Sequence, residues 1–233
     1  MTWIHIIRES ILHLLYPPVC IGCSKHLSAQ LHPFCVHCLY NLPFTGQENY
    51  LENEFTDHFA GRIPLTFGMA LMYYEKNGIA QHIIQRLKYQ GRRDLGVLTG
   101  DWLGERLRAC SHLDKVDMII PVPLHWRRYL IRGYNQSEII AQRLSRALQV
   151  PVQARCLVRN RWTGTQTKRK RLDRLQALQT AFAVRNGKEV TGKHILLVDD
   201  VMTTGATLEA CAQALLQWPD VRISAVTIAQ GMT

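Results

Sequence analysis

The chain has 233 residues and a mass of 26.7 kDa, with 47% apolar, 20% charged and 8% aromatic residues, a balance that excludes disordered, fibrous and wholly membrane-embedded classes. Lys and Arg number 28 against 18 Asp and Glu, a formal charge of +10, so an anionic partner is expected: nucleic acid, an acidic membrane surface or a phosphorylated small molecule. The length suits one full domain with an appendage better than two large domains.

In chain order, the first predicted element is a short amphipathic helix ending before Pro17 and Pro18, because Trp3, Ile4, Ile7, Ile11, Leu14 and Leu15 recur at helical spacing. Arg8, Glu9 and His13 interrupt the apolar run and no small-residue cleavage site follows, which makes a poor signal peptide. No run reaches the ~18 apolar residues that a membrane span needs. The helix either packs on the protein's own body or lies on a membrane or partner, and a cytoplasmic location is the expectation.

Cys20 and Cys23 in CIGC and Cys35 and Cys38 in CVHC follow, with eleven residues between the pairs. Four thiolates brought together by a short loop supply the tetrahedral soft donor set of a closed structural zinc site, with no position left for catalytic water. Two disulfides, or buried cysteines without metal, are the alternatives, and the lack of a secretory signal counts against the disulfides. His26, His32 and His37 lie close enough in sequence to replace one thiolate. The domain reading is therefore 1–45 for the helix and zinc-binding module, 46–64 for a mildly acidic connector, and 65–233 for the main domain.

From residue 65, strand-like runs alternate with helical patterns. LTFGMALMYY is followed by GIAQHIIQRLKYQ and LGVLTGDWLGERLRAC, MIIPVP by QSEIIAQRLSRALQ, and HILLVDD by ATLEACAQALLQW and VRISAVTIA. This order predicts an α/β fold, a mainly parallel sheet flanked by helices on both faces. Such sheets bind ligands beyond the carboxyl ends of their strands, which directs attention to the ends of MIIP and LLVDD.

At the second of these ends, Asp199 and Asp200 precede a turn rich in Thr203, Thr204, Gly205 and Thr207, and a helix then begins. Backbone amides there can face a phosphate, threonine hydroxyls add donors, and the carboxylates can accept from sugar hydroxyls or assist cation binding. The alternative is structural: the acids solvate a strand end while the threonines and glycine cap the helix. Lys88, at the end of an apolar helical stretch, either reaches a phosphate site or snorkels from a packed helix. Residues 155–174 gather eight basic side chains: Arg155, Arg159, Arg161, Lys168, Arg169, Lys170, Arg171 and Arg174.

LLVDDVMTTGAT resembles the ribose-phosphate-diphosphate motif of type I phosphoribosyltransferases. CIGC and CVHC, LKYQGRRDLG, IIPVPLHWRRYLIRGYNQSE and TQTKRKRLDRLQALQTAF extend the likeness over nearly the whole chain to the ComF family of competence-associated, phosphoribosyltransferase-like proteins, GntX-like members included. The resemblance implies a type I phosphoribosyltransferase-like parallel sheet with a small N-terminal zinc-binding module, binding phosphoribosyl diphosphate with magnesium. It implies Asp199 and Asp200 on the ribose hydroxyls. It implies Val201, Met202, Thr203, Thr204, Gly205, Ala206 and Thr207 around the 5-phosphate, and Pro121, Val122, Pro123 and Leu124 as the pyrophosphate loop, with Arg127, Arg128 and Arg132 close behind. Lys88 matches the family's early basic motif, and Thr165, Gln166 and Arg174 match its hood over the site, Arg174 and Lys88 being the basic members of the catalytic set. Arg132 to Gln136 match its RG-aromatic-NQ stretch, where Asn135 is expected to cap the next helix. The chain departs from the family at Ala177, where members commonly carry Asn.

The implied chemistry is pentosyl transfer, negative charge growing on departing pyrophosphate while the ribose anomeric carbon becomes electron-poor. The acceptor and oligomeric state are left open. A competing reading is a competence protein that handles single-stranded DNA or contacts the uptake machinery, its fold serving as a ligand-binding module; Trp162 and the basic run would then form the strand surface. A nucleotide-hydrolase P-loop at Gly187, Gly192 and Lys193 is rejected, because His194 stands where Ser or Thr is needed and HILLVDD predicts a strand.

Overall fold

A computed structural model describes residues 18–27, 32–159 and 181–232. The expected helix before Pro17, and the hood positions Trp162, Thr165, Gln166, Arg174 and Ala177, lie outside these residues.

β1 (Phe67–Tyr74), β2 (Met118–Pro121), β5 (His194–Met202) and β6 (Arg222–Gly231) form a sheet in the order β1-β6-β5-β2, with every pairing parallel. Parallel neighbours need crossovers, and helices supply them: α3 (Ile79–Tyr89) and α4 (Arg93–Ala109) between β1 and β2, α6 (Gln136–Leu148) after β2, and α7 (Ala206–Leu215) between β5 and β6. The strands read as continuous apolar runs because both faces are covered. In β5, Leu196 and Val198 join one core with α3, α4 and α6, while Ile195 and Leu197 join the opposite core with α7, the alternation of a strand. Both sheet edges are covered. Thr45 and Tyr73 amides bond Leu71 and Pro43 carbonyls along β1, and Ile119 exchanges bonds with Pro151 and Gln153 along β2.

Gly96, Gly100 and Gly104 line one face of α4 at four-residue spacing and let α6 approach. A Cβ at Gly104 would stand 2.7 Å from Ala147 Cβ, and one at Gly100 would stand 2.9 Å from Arg143 Cβ. Arg143 also binds Asp101 bidentately at 2.5 and 2.9 Å, tying the same two helices.

The stretch read as a connector, 46–64, is built into the fold. Asn53 caps the short α2 (Glu54–Asp57) in a reciprocal box with Thr56 and also bonds the Gly68 carbonyl, and Phe55 and Phe59 are fully buried beneath the sheet. Its acidic surface masked an aromatic spacing that belongs to the second core. The four-cysteine segment, whose short α1 (Val36–Tyr40) carries Cys38, likewise shares the main core: Cys20, Ile21, Phe34 and Cys38 pack in the cluster that holds Ile83, Ile84 and Leu87 of α3. His82 Nδ1 lies 3.1 Å from the Gly22 carbonyl, a second tie to α3. A short antiparallel ribbon, β3 (Leu157–Arg159) with β4 (Phe182–Val184), packs Leu157 and Phe182 into the core on the opposite face. Residues 187–189 form a 3-10 turn and His194 opens β5, which removes the P-loop alternative. No helix among the described residues is long and apolar enough to cross a membrane.

Candidate functional site

β5 delivers Asp199 and Asp200 to the carboxyl end of the sheet. Alternation points them to opposite sides. Lys88 Nζ meets Asp200 Oδ1 at 2.8 Å, with both side chains largely buried. Lys88 therefore neither snorkels outward nor stands alone in a phosphate pocket: the last turn of α3 carries it to the acid pair. Asp199 Oδ1 accepts from the Ser137 hydroxyl at 2.9 Å and from the Asp200 amide at 2.8 Å. Asp199 keeps some solvent contact but is enclosed by protein on most sides. Burial first, and then the Asp200 charge, push its pKa up to about 7 against the opposing pull of Lys88, the Asp200 amide and Ser137.

The turn after β5 folds around a recess of about 30 Å³ lined by Asp199, Val201, Met202, Thr203, Thr204, Gly205, Ala206, Thr207 and Leu208. Gly205 has φ +66°, and a Cβ there would stand 2.8 Å from the Phe59 ring and 2.9 Å from the His58 ring, so the glycine is required by conformation and by crowding. Thr203 and Thr204 are exposed, and α7 opens at Ala206. Arg62 closes the turn from behind. Its guanidinium pairs with Glu209 of α7 and donates to the Thr204 carbonyl at 3.4 Å and the His58 carbonyl at 3.2 Å.

At the end of β2, the Val122 amide donates to the Val198 carbonyl at 2.8 Å, which fixes Pro121, Val122, Pro123 and Leu124 beside the acid strand. Asn135 caps α6 by accepting from the Ser137 amide at 3.2 Å, and its side-chain amide donates to the Val122 carbonyl at 3.1 Å. One residue thus joins the β2 loop to the helix that presents Ser137. His125 begins α5 (Trp126–Arg132) through a bond to the Arg127 amide at 3.2 Å. Burial, then the charges of Arg159, Arg127 and Arg128, lower the His125 pKa. Burial and then Arg128 also lower that of Arg159, while Cys211 and Asp199 favour its charge. Arg127, Arg128 and Arg159 therefore make one cationic field around this loop. Arg132, beside the same loop in sequence, bonds Gln136 Oε1 at 2.9 Å and lies over the Tyr89 ring at 5.4 Å. Tyr134 donates to the Leu87 carbonyl, and Arg93 lies 4.6 Å over the Tyr134 ring. The two motifs LKYQGRR and RGYNQ are thus packed on one another, which is what holds Lys88 in place.

Sequence reasoning missed Ser137 and Arg62, and placed Arg159 only within the basic run 155–174. Ser137 lies two residues from the expected cap Asn135, and the cap geometry could have flagged it. Arg62 sits in the segment read as a connector and carries no motif.

Away from the sheet end, the Sγ atoms of Cys20, Cys23, Cys35 and Cys38 all lie within 4.8 Å of one another. The Cys35 amide donates to Cys20 Sγ at 3.2 Å and the Cys38 amide to Cys35 Sγ at 3.5 Å. Burial raises the Cys20 thiol, but the amides of Cys35, Cys23 and Gly22 outweigh it and bring it to about 6. Cys38 is pushed well up, by burial and then by the other three sulfurs. Four converging sulfurs cannot all ionise unless a cation offsets their repulsion. Gly22 completes the cradle, since a Cβ there would stand 2.7 Å from Cys38 Sγ. Among the described residues the cluster is all cysteine, and His32 instead stacks on Trp102 with ring centroids 6.2 Å apart.

An acid pair ending a parallel strand, a threonine-glycine turn opening a helix and a second loop beside it define a phosphoribosyltransferase-like α/β protein. The family described as phosphoribosyl transferase domain matches residues 135–232. Competence protein F of Haemophilus influenzae is 34% identical over 214 residues, covering 88% of this chain and 86% of that protein, and the chain belongs to the competence protein F family. The DNA utilization protein YhgH of Escherichia coli O157:H7 is 38% identical over 138 residues, 58% of this chain and 60% of that protein. Among solved structures, a glutamine phosphoribosylpyrophosphate amidotransferase from B. subtilis is similar with TM-score 0.41 and 20% identity over 60% of this chain and 30% of that one.

Proposed function

We propose that this protein binds phosphoribosyl diphosphate with magnesium and serves DNA uptake, with pentosyl transfer as the reaction its site is suited to. The observation that carries the reading is the pairing of Asp199 and Asp200, one on Ser137 and one on Lys88, immediately ahead of the Thr203–Thr207 recess. The carboxylates accept from the two ribose hydroxyls. The 201–207 turn takes the 5-phosphate on its amides and threonine hydroxyls. Pro121 to Leu124 and the cationic field of Arg127, Arg128 and Arg159 face the diphosphate, with Gln166 and Arg174 assigned to a hood over it. Magnesium bound with the diphosphate would supply charge neutralisation on the leaving group. The protein's task is to hold the sugar still and spread the negative charge that develops as the C1–O bond breaks, which needs fixed donors and no covalent nucleophile. The four cysteines hold structural zinc, consistent with the all-sulfur donor set and the Gly22 cradle. The role in DNA uptake rests on the names of the relatives, and the cytoplasm is the compartment that fits it.

The test is a calorimetric titration of the full chain with phosphoribosyl diphosphate and magnesium, set against the Asp199→Ala, Asp200→Ala double variant. Saturable binding lost in the variant supports the reading; equal binding by both overturns the site. Binding without pyrophosphate release across purine, pyrimidine and amine acceptors would leave a ligand-sensing module in place of a transferase.

A further inference from the structure

α3 touches the four-cysteine cluster at its start and the acid pair at its end. Gly22 lies between the cluster and the helix: a Cβ there would stand 2.7 Å from Cys38 Sγ and 3.2 Å from Ile79 Cγ1. One turn on, His82 Nδ1 meets the Gly22 carbonyl at 3.1 Å; the carbonyl can only accept, so the ring carries a proton on Nδ1 and donates. Burial and then Arg92 lower the pKa of Arg86, a further turn along, while the Cys20 charge opposes them, so this guanidinium also lies within reach of the cluster. Ile79, His82 and Arg86 share one face of the helix, three and then four residues apart. At the other end two neighbours are fastened. The Leu87 carbonyl accepts from Tyr134, and Lys88 Nζ meets Asp200 Oδ1 at 2.8 Å.

Nothing between these ends absorbs a shift. IAQHIIQRLKY contains no glycine or proline, and Ile83, Ile84 and Leu87 are held in the main core, so the helix, roughly 16 Å long, moves as one body. Glycines flank it instead. Gly78 precedes it without a side-chain cap, and Gly91, with φ +67°, follows it. The start of α3 is therefore steadied by the cysteine segment laid across it. That segment is too small for a core of its own, and the repulsion among its four sulfurs is relieved only with a cation between them. Without the cation, Gly22 loosens, and Ile79 and His82 lose their cover less than two turns before Lys88. In the other direction, a sugar held on Asp200 fixes Lys88 and, through the helix, the surface that receives the cluster.

We propose that α3 is a lever between the two sites, with His82 as the positioning residue that carries the seating of the cysteine cluster to Lys88, so that zinc loading and sugar-phosphate binding strengthen one another. The inference rests on the zinc and phosphoribosyl diphosphate readings and adds a linkage that neither contains. Coupling of this kind is reciprocal: whatever factor the ligand adds to zinc affinity, zinc adds to ligand affinity. A cluster that merely stabilised the fold would give no special part to His82.

The experiment measures the zinc affinity of the full chain by competition with a zinc-selective chelator that leaves magnesium in place, with and without saturating phosphoribosyl diphosphate and magnesium. It is run at a temperature where the chelated chain keeps its circular dichroism. The ligand is expected to raise zinc affinity about fivefold or more, the lower end of coupling between sites, and chelation to weaken the ligand by a similar factor in calorimetry. His82→Ala is expected to retain one zinc per chain but to bring the factor below about twofold, and His82→Asn, whose side-chain amide can donate to the same carbonyl, to restore it. Amide exchange after chelation should quicken at residues 83–89 and stay unchanged in α7, which packs in the opposite core.

Equal zinc affinity with and without ligand, in a chain that holds zinc and binds the ligand, overturns the lever and leaves both sites standing. A factor that His82→Ala does not alter overturns it as well, since the linkage would then run through the stability of the whole fold. A chain without zinc removes the cluster reading, and one that holds zinc but does not bind the sugar phosphate removes the site reading. Either result takes away one end of the lever, and metal analysis and calorimetry tell the two apart.

Discussion

Lys88 and Asp200 meet at 2.8 Å although they lie on different secondary-structure elements, one in the last turn of α3 and one near the end of β5. The pair is nearly dry, so its members depend on each other. Replacing Lys88 by Met leaves the Asp200 carboxylate buried without its cation and is expected to cost about 3 kcal/mol of stability, while Lys88→Met combined with Asp200→Asn recovers most of it. Urea melts of the three variants measure this. A Lys88→Met cost equal in both backgrounds would show that the pair is not the origin.

Asp199 supplies a pH signature. Its pKa rises from 3.8 to about 7 in the native state, so across that interval the folded chain holds a proton that the unfolded chain has released. The native state binds more protons there, and stability therefore falls as pH rises from about 4 to 7 and levels off above. Asp199→Asn removes this component and should stabilise the free protein by about 2 kcal/mol at pH 8 and little at pH 4. Thermal melts over this range check it, and an unchanged profile in the variant would assign the trend to other groups.

Arg62 ties Glu209, the Thr204 carbonyl and the His58 carbonyl together behind the phosphate turn, yet its side chain is a third exposed. Arg62→Ala should cost less than about 1 kcal/mol in global stability. It should nevertheless speed amide hydrogen exchange in the Thr203–Ala206 turn and weaken phosphoribosyl diphosphate binding severalfold. Exchange rates equal to those of the unaltered protein would remove Arg62 from any positioning role.

Gly104→Ala tests the α4–α6 contact. Helix propensity alone would favour alanine by about 1 kcal/mol. Its Cβ would stand 2.7 Å from that of Ala147, however, and the backbones must separate. The net effect is expected to be a loss of about 1–2 kcal/mol, relieved by Ala147→Gly. A stabilised single variant would mean that the helices yield freely.

Metal content addresses the cysteines. One zinc per chain after gentle purification, and a fall in melting temperature on chelation, are expected because binding to converging thiolates is folding free energy. Cys38→Ser should abolish the metal and lower the melting temperature to that of the chelated protein. A chain that melts identically with and without chelator would leave the cluster as buried thiols.

Much of the architecture was legible in the residues because it depends on local periodicity. HILLVDD is apolar on both faces and could only be a buried strand, and GIAQHIIQRLKYQ repeats at helical spacing. The acid pair and the turn after it were legible for the same reason, as contiguous residues whose chemistry is carried by their order. Segment 46–64 reads as a connector because Phe55 and Phe59 are separated by polar residues, and only packing beneath the sheet reveals why they are there. α5 was not anticipated at all: its apolar residues follow no buried stripe, since the helix buries nothing.

The sequence by itself determined that four cysteines lie in paired spacing, that two aspartates end a strand before a threonine-glycine turn, and that the positive charge is excessive and unevenly distributed. Tertiary structure decided which side chains serve them. Lys88, Ser137 and Arg62 reach the site from 62 to 142 positions away along the chain, brought together by parallel crossovers that no local pattern encodes. The excess charge likewise acquired direction only in three dimensions, where arginines from α5, β3 and the end of β4 gather around one loop because the sheet places its carboxyl ends on a single side.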